Sequence, residues 1–366
     1  MTSSNDSSIH SAALTEENQA DLLDIGLFLL DDPDSANTVV SPVGVVAAAG
    51  VIAEGSSDEP IIDLKSLQPA WTMWQRWAGP PTRQLKKNPV IATAAQLFVD
   101  PEFSIKPAYH EAIAGWDVLI ETGAIIQENL DEWARINTAN LIQQSGITVT
   151  PETKLVLQNA ITFAAKWQED FRQWDVIDYD FTRADGTITR VKMMCSVRHA
   201  PYTVSDGWRG VRLDYTDGEL AAFVLIPDDD TEQAPLTTLR QAVSQLCRPN
   251  ETMGRVAVEL PRFTVTSEKK LFELFDCIGL ETNTQLKAMT DPPVMLTQVM
   301  QQAIIVVDER GTVVSAVTSG GMETGVSLYT EKPIEIIANR PFYFIVGDVE
   351  TGTPLFLSHI GDPKMA

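Results

Sequence analysis

The chain has 366 residues, 44% of them hydrophobic, enough for a large core in one big domain or two smaller ones. Lys and Arg number 27 against 50 Asp and Glu, a formal charge of −23; this field repels phosphate backbones and excludes nucleic acid as a partner. Cys195, Cys247 and Cys277 form neither a zinc pattern nor a disulfide framework, so free, partly buried thiols are expected. The polar start, Met1 to His10, lacks the regions of a signal peptide, and no apolar run is long enough to span a membrane, so a soluble chain without membrane insertion is expected.

Residues 1–15, rich in Ser, Asn and Asp, read as a disordered tail before a single domain over 16–366. Ala20 to Leu30 has helical spacing. Ser41-Pro42 opens a buried helix over Val43 to Ala53, with Ser as cap and Pro in the first turn. Residues 56–88 are mixed; Trp71, Trp74 and Trp77 read as core packing, and Arg83-Gln84-Leu85-Lys86-Lys87 as a solvated loop. Val90 to Val99 predicts a strand, Pro107 to Gly115 a short helix and Trp116 to Glu121 a strand. An amphipathic helix follows over Leu130 to Gln144, then a strand buried on both faces, Lys154 to Phe163. Further strands are expected at Gly186 to Ser196, Gly207 to Asp214, Leu220 to Ile226 and Arg255 to Phe263. Helices are expected at Leu236 to Cys247 and Glu268 to Ile278. Helices first and strands later favour an α+β fold with large sheets.

The carboxy-terminal stretch is the most informative. A strand candidate, Ala303 to Val307, ends in Asp308-Glu309-Arg310-Gly311. Thr312 to Thr330 then runs without proline and with a single charge, Glu323, before strand candidates at Ile334–Ile337, Phe342–Val346 and Leu355–Ile360. So long a connection inside a domain is normally functional or disordered. Its first part is β-branched enough to become a strand. Chemistry for catalysis is missing: four scattered His, no glycine-rich phosphate loop, no Gly-x-Ser-x-Gly. The chain does not read as an enzyme, and nothing in it identifies a cofactor.

Asp308-Glu309-Arg310-Gly311-Thr312, the long loop, Asn339-Arg340-Pro341-Phe342, Pro354-Leu355-Phe356-Leu357 and Asp362-Pro363, in this order, resemble the reactive-loop hinge and carboxy-terminal signature of the serpins. Val40-Ser41-Pro42, Gln96 to Val99, Asn159 with Phe163 and Lys166-Trp167, Val191 to Met194, Leu225-Ile226-Pro227 and Leu260 to Phe263 extend the likeness over roughly residues 20 to 363. The chain departs from the family pattern at Gly44, usually serine, at Gln301, usually histidine, and at Ala164-Ala165, where Lys-Gly is common. A water is expected to replace the missing hydroxyl at Gly44.

The resemblance implies a serpin-like fold of about three β-sheets with an exposed reactive loop over 312–330. It also implies suicide inhibition of a serine protease, or sometimes a cysteine protease, through a covalent complex made by a monomer, outside the cell or at its surface. The implied hinge is Glu309, Arg310, Gly311, Thr312, Val314, Ala316 and Thr318; the implied support at the sheet is Ser41, Asn159, Trp167 and Gln301. Alternation puts Thr312, Val314, Ala316, Thr318 and Gly320 on one face and Val313, Ser315, Val317, Ser319 and Gly321 on the other, with no charge on either. Counting forward from the hinge centres the scissile bond on Thr324, Gly325 and Val326; counting back centres it near Thr330, with Leu328-Tyr329 between. The loop is thus about five residues longer than the common form. Small residues suit elastase- or subtilisin-like pockets and Leu328-Tyr329 a chymotrypsin-like one. No Lys or Arg follows Arg310 in the loop, against a trypsin-like target. Val313-Val314 are bulkier than the usual alanines, and a non-inhibitory serpin-like binding or chaperone protein is the alternative. Arg83, Lys86 and Lys87 lie near a family polysaccharide region but are thin support for such a ligand.

Overall fold

The computed structural model describes residues 15–30, 35–56, 60–85, 87–228, 236–248, 250–280, 285–312 and 332–364. Helix α1 (Glu16–Leu30) buries Leu22, Leu23, Ile25 and Leu29. A short strand β1 (Asn37–Val40) leads into α2 (Pro42–Gly55). Ser41 caps α2, its Oγ accepting from the Gly44 N–H at 3.4 Å, and almost every side chain of this helix is buried. The mixed stretch contains a helix that spacing alone did not disclose, α3 (Leu64–Trp74), capped by Asp63; Trp71 and Trp74 point into the core.

β2 (Val90–Val99) has the expected bounds; β3 (Ser104–Ile105) and α4 (Pro107–Ala112) follow. The strand expected from Trp116 is only Leu119–Thr122 (β4), because Trp116 ends a 3-10 turn and is buried. The amphipathic helix is α5 (Gln127–Asn137), seven residues shorter at its end than the periodicity suggested. There the Thr138 hydroxyl takes over the backbone pairing, donating to Ala134 O at 2.8 Å and accepting from the Ile142 N–H at 3.0 Å. Ala139 and Asn140 then adopt left-handed φ of 53° and 59°, and residues 139–149 leave as an irregular strap.

β5 (Leu155–Lys166) is buried along nearly its whole length. β6 (Val176–Thr182), which the sequence reading passed over, pairs with β7 (Ile188–Ser205); β8 (Trp208–Asp214) and β9 (Leu220–Pro227) continue the meander. After α6 (Leu236–Leu246) come β10 (Thr252–Pro261) and β11 (Phe263–Lys270). Glu268 to Lys270, expected to open a helix, extend β11 instead, because they pair in register with Gln302 to Met300; the helix there is only α7 (Phe272–Cys277). β11 is an edge strand, where charged side chains keep access to water. Three two-residue strands, β12 (Gln285–Leu286), β13 (Thr290–Asp291) and β14 (Val294–Met295), precede β15 (Gln298–Asp308) and β16 (Gly311–Thr312). β17 (Ile334–Ile337), β18 (Phe342–Asp348) and β19 (Pro354–Ile360) close the chain.

These strands make a nine-stranded sheet, β1-β19-β18-β9-β8-β7-β10-β17 with β6 on β7, and a six-stranded one, β11-β15-β16-β5-β2-β4, besides two small pairs. α2 lies in the core against β5 and β19, while α5 packs on the opposite face of the six-stranded sheet through Leu130, Ala134 and Trp133. The fold is α+β, as the order of elements suggested. Cys195, Cys247 and Cys277 are free thiols, half-buried, buried and exposed respectively.

Candidate functional site

The site is a seam in the six-stranded sheet. At its upper end Asp308 terminates β15, its carboxylate accepting from the N–H groups of Arg310 at 2.8 Å and Gly311 at 3.2 Å. This turn sends the chain back as β16, which is antiparallel to both neighbours: Thr312 faces Val307 on β15 and Ala165 on β5, and Gly311 faces Asp308 and Lys166. Below, β15 and β5 join directly and in parallel, Gln298 opposite Val156 through Ala303 opposite Ile161. Gly311 and Thr312 therefore form a wedge whose lower continuation is closed.

The wedge is held on every side. The backbone N–H groups of Trp167 and Phe171 donate to Arg310 O at 2.9 Å and Glu309 O at 2.8 Å, and the Trp167 indole Nε1 donates to Asp308 O at 3.0 Å. Arg262 Nη2 pairs with the Glu309 carboxylate at 2.8 Å. Thr312 is fully buried, its hydroxyl 2.7 Å from that of Tyr215, whose ring stacks on Trp167 at 4.7 Å. Burial raises the Tyr215 phenol and the Asp308 carboxyl above their ordinary ranges, although Arg310 beside Asp308 pulls the latter back. A Cβ at Gly311 would stand 2.1 Å from Ala165 O, so only glycine fits this approach.

Halfway down the seam, at the start of α2, Gln301 binds the backbone of Ser41 at both amide ends: the Ser41 N–H donates to Oε1 at 2.8 Å, and Nε2 donates to Ser41 O at 3.0 Å. Nε2 also donates to Asn159 Oδ1 at 3.2 Å, and Asn159 Nδ2 reaches Ala94 O at 3.3 Å. The water expected in place of a hydroxyl at Gly44 has no room. A Cβ there would lie 2.7 Å from Asn159 Oδ1 and 2.8 Å from Gln301 Nε2, so the long Gln301 side chain fills the space. The two departures from the family pattern thus meet at one spot.

Of the residues singled out in the sequence, the structure gathers Glu309, Arg310, Gly311, Thr312 and Trp167 at the top of the seam, and Ser41, Asn159 and Gln301 at its middle. Val314, Ala316, Thr318, Thr324, Gly325, Val326, Leu328, Tyr329 and Thr330 lie outside the described residues. Sequence reasoning missed Tyr215, which nothing local marks, and the pairing of Arg262, within the Leu260 to Phe263 landmark, with Glu309. It also missed Gln158, Gln298 and Gln302, amides in otherwise apolar strands that needed buried partners.

A family model described as Serpin (serine protease inhibitor) matches residues 27–363. Serpin-Z4 of Arabidopsis thaliana is 25% identical over 309 residues, covering 75% of this chain and 77% of the plant protein. Serine proteinase inhibitor 2 of Myxoma virus is 24% identical over 340 residues, covering 90% of this chain and 96% of the viral one. The native structure of tengpin, a thermophilic serpin, aligns with a TM-score of 0.79 at 20% identity over 95% of this chain and 94% of its own, a likeness of fold. With a family match spanning nearly all its length, the chain belongs to the serpins.

Proposed function

We propose that this serpin is a suicide substrate for a serine protease of elastase-, subtilisin- or chymotrypsin-like preference. Cleavage in the region of Thr324 to Thr330 leaves an acyl-enzyme, and residues 312–321 enter the seam as a new central strand. One observation carries the reading. Extended downwards, the register of Gly311 and Thr312 sets Val314 opposite Phe163 and Ile305, Ala316 opposite Ile161 and Ala303, and Thr318 opposite Asn159 and Gln301. Ile161 and Ala303, like Asn159 and Gln301, are already each other's partners, so a strand can enter between them without either neighbour slipping in register. Thr312, Val314, Ala316 and Thr318 would face the core on the side of Tyr215 and Ser41, where the absence of charge matters most. Proline, which a central strand cannot use, is absent from the segment.

The test is incubation with elastase, subtilisin and chymotrypsin, followed by denaturing electrophoresis and mass measurement of the released peptide. A complex that survives denaturation is expected, with the peptide defining the cut bond. Cleavage without any such complex, and without a gain in thermal stability, would favour the non-inhibitory binding reading instead.

A further inference from the structure

Tyr215, whose hydroxyl meets Thr312 at the top of the seam, opens the turn between β8 and β9. Its carbonyl accepts from the Gly218 N–H at 3.0 Å, and its N–H donates to Leu220 O at 2.9 Å. Asp217 stiffens the turn, its Oδ1 accepting from the N–H groups of Glu219 at 3.4 Å and Leu220 at 3.3 Å. The end of β5 holds this turn, the Thr216 N–H donating to Lys166 O at 3.0 Å. The segment between α3 and β2 grips it as well. From that segment the Trp77 indole Nε1 donates to Asp217 Oδ2 at 3.0 Å, and Arg76 pairs with Glu219 at 3.2 Å. The Thr216 hydroxyl donates to Lys87 O, and Leu85 lies against Gly311.

These ties are unequal. The Arg76–Glu219 pair is half-exposed at both ends and screened by water, so it contributes little. The Trp77 bond is partly buried and ends on a carboxylate, which makes it the stronger kind. Trp71 and Trp74 are core residues, whereas Trp77 is only half-buried and gives its single N–H to a residue 140 positions away. Asp217 is two residues from Tyr215 in a turn closed by its own hydrogen bonds, so the two move together. A shift of about 1 Å there takes the Tyr215 hydroxyl, now at 2.7 Å, out of hydrogen-bond range of Thr312. We infer that Trp77 is a positioning residue for strand insertion: through Asp217 it holds Tyr215 on Thr312 and so keeps β16 seated in the seam. This rests on the insertion reading above and names a side chain that sets how readily the top of the seam opens.

The experiment uses the intact protein and a synthetic peptide with the sequence of residues 312–321, without protease. The peptide can fill the whole seam only after the chain's own Thr312 leaves it. Uptake is followed over time by native electrophoresis and mass spectrometry, with the thermal midpoint of each protein measured to show that it is folded. Trp77→Phe, which keeps a ring and removes the N–H, should speed uptake about fivefold, the effect of one ordinary hydrogen bond. Tyr215→Phe should do the same. Adding Trp77→Phe to it should change the rate by less than about twofold, because the hydroxyl through which Trp77 acts is already gone. Arg76→Ala should stay within a factor of about two of the parent. An unchanged rate in Trp77→Phe, equal acceleration by Arg76→Ala, or full multiplication of the two single effects in the double variant overturns the positioning role while leaving insertion standing. If the parent protein takes up no peptide at all, the insertion reading falls and the role of Trp77 with it.

Discussion

Gly44 and Gln301 show how one residue licenses another. The Gln301 amide occupies the volume a side chain at 44 would need, and in return satisfies both backbone groups of Ser41. Gly44→Ser alone should cost about 1–3 kcal/mol through overpacking. Gln301→His alone should cost a similar ~1–3 kcal/mol, because the Ser41 backbone loses partners in a buried site. The double variant restores the family's usual pair, and its loss should fall short of the sum by at least ~1 kcal/mol. Denaturant midpoints of the three variants measure this; strict additivity would mean that the two positions are not coupled.

At the scale of elements, β16 is two residues long and fills the top of the seam between β15 and β5. Its Thr312 is sealed between Tyr215 and the strands. Thr312→Arg would place an unpaired charge there, at a cost of several kcal/mol unless the strand withdraws. The expected outcome is a protein that still binds and is cleaved by protease but releases it, so that electrophoresis shows cleaved product and no stable complex. A stable covalent complex from this variant would contradict strand insertion through the seam. The element scale is also where sequence reading failed most. The periodicity of Leu130 to Gln144 continues past the true end of α5, because apolar Leu141 and Ile142 pack on Ile304 and Val306 from the strap rather than from a helix. Glu268 to Lys270 looked helical by composition, but pairing with β15 outweighs propensity.

For the whole molecule, the proposed insertion would exchange six parallel residue pairs for a strand bonded along both edges. A net gain on the order of ten hydrogen bonds at about 1 kcal/mol each corresponds to a rise in thermal midpoint on the order of 10 °C for a chain of this length. Calorimetry of the cleaved and intact forms would detect it, and equal midpoints would argue against insertion. Stability of the intact form should also respond to acid. Burial on β19 lowers the pKa of His359, so the folded imidazole takes up its proton at a lower pH than the unfolded chain, which does so near pH ~6.5. The unfolded state then binds more protons, and stability falls as pH drops from about 7 towards 5, by at most ~1.4 kcal/mol per pH unit from this group. His359→Gln should flatten that part of the profile; an unaltered slope would assign it to other groups.

The fold class, most strand positions, the capped buried helix α2 and the turn at Gly311 were legible in the sequence. Each rests on local chemistry: β-branched runs, a Ser-Pro start, a glycine that must turn. What the tertiary structure alone decided is where these pieces meet. Tyr215 lies 97 residues from Thr312, Gln301 lies 260 from Ser41, and Ser145 reaches Gln158 only because α5 ends early. Partnerships of that kind depend on register and on which volumes are already filled, and no local pattern of side chains encodes either. The seam itself, filled by two residues above and closed by direct pairing below, exists only once β15 and β5 are side by side.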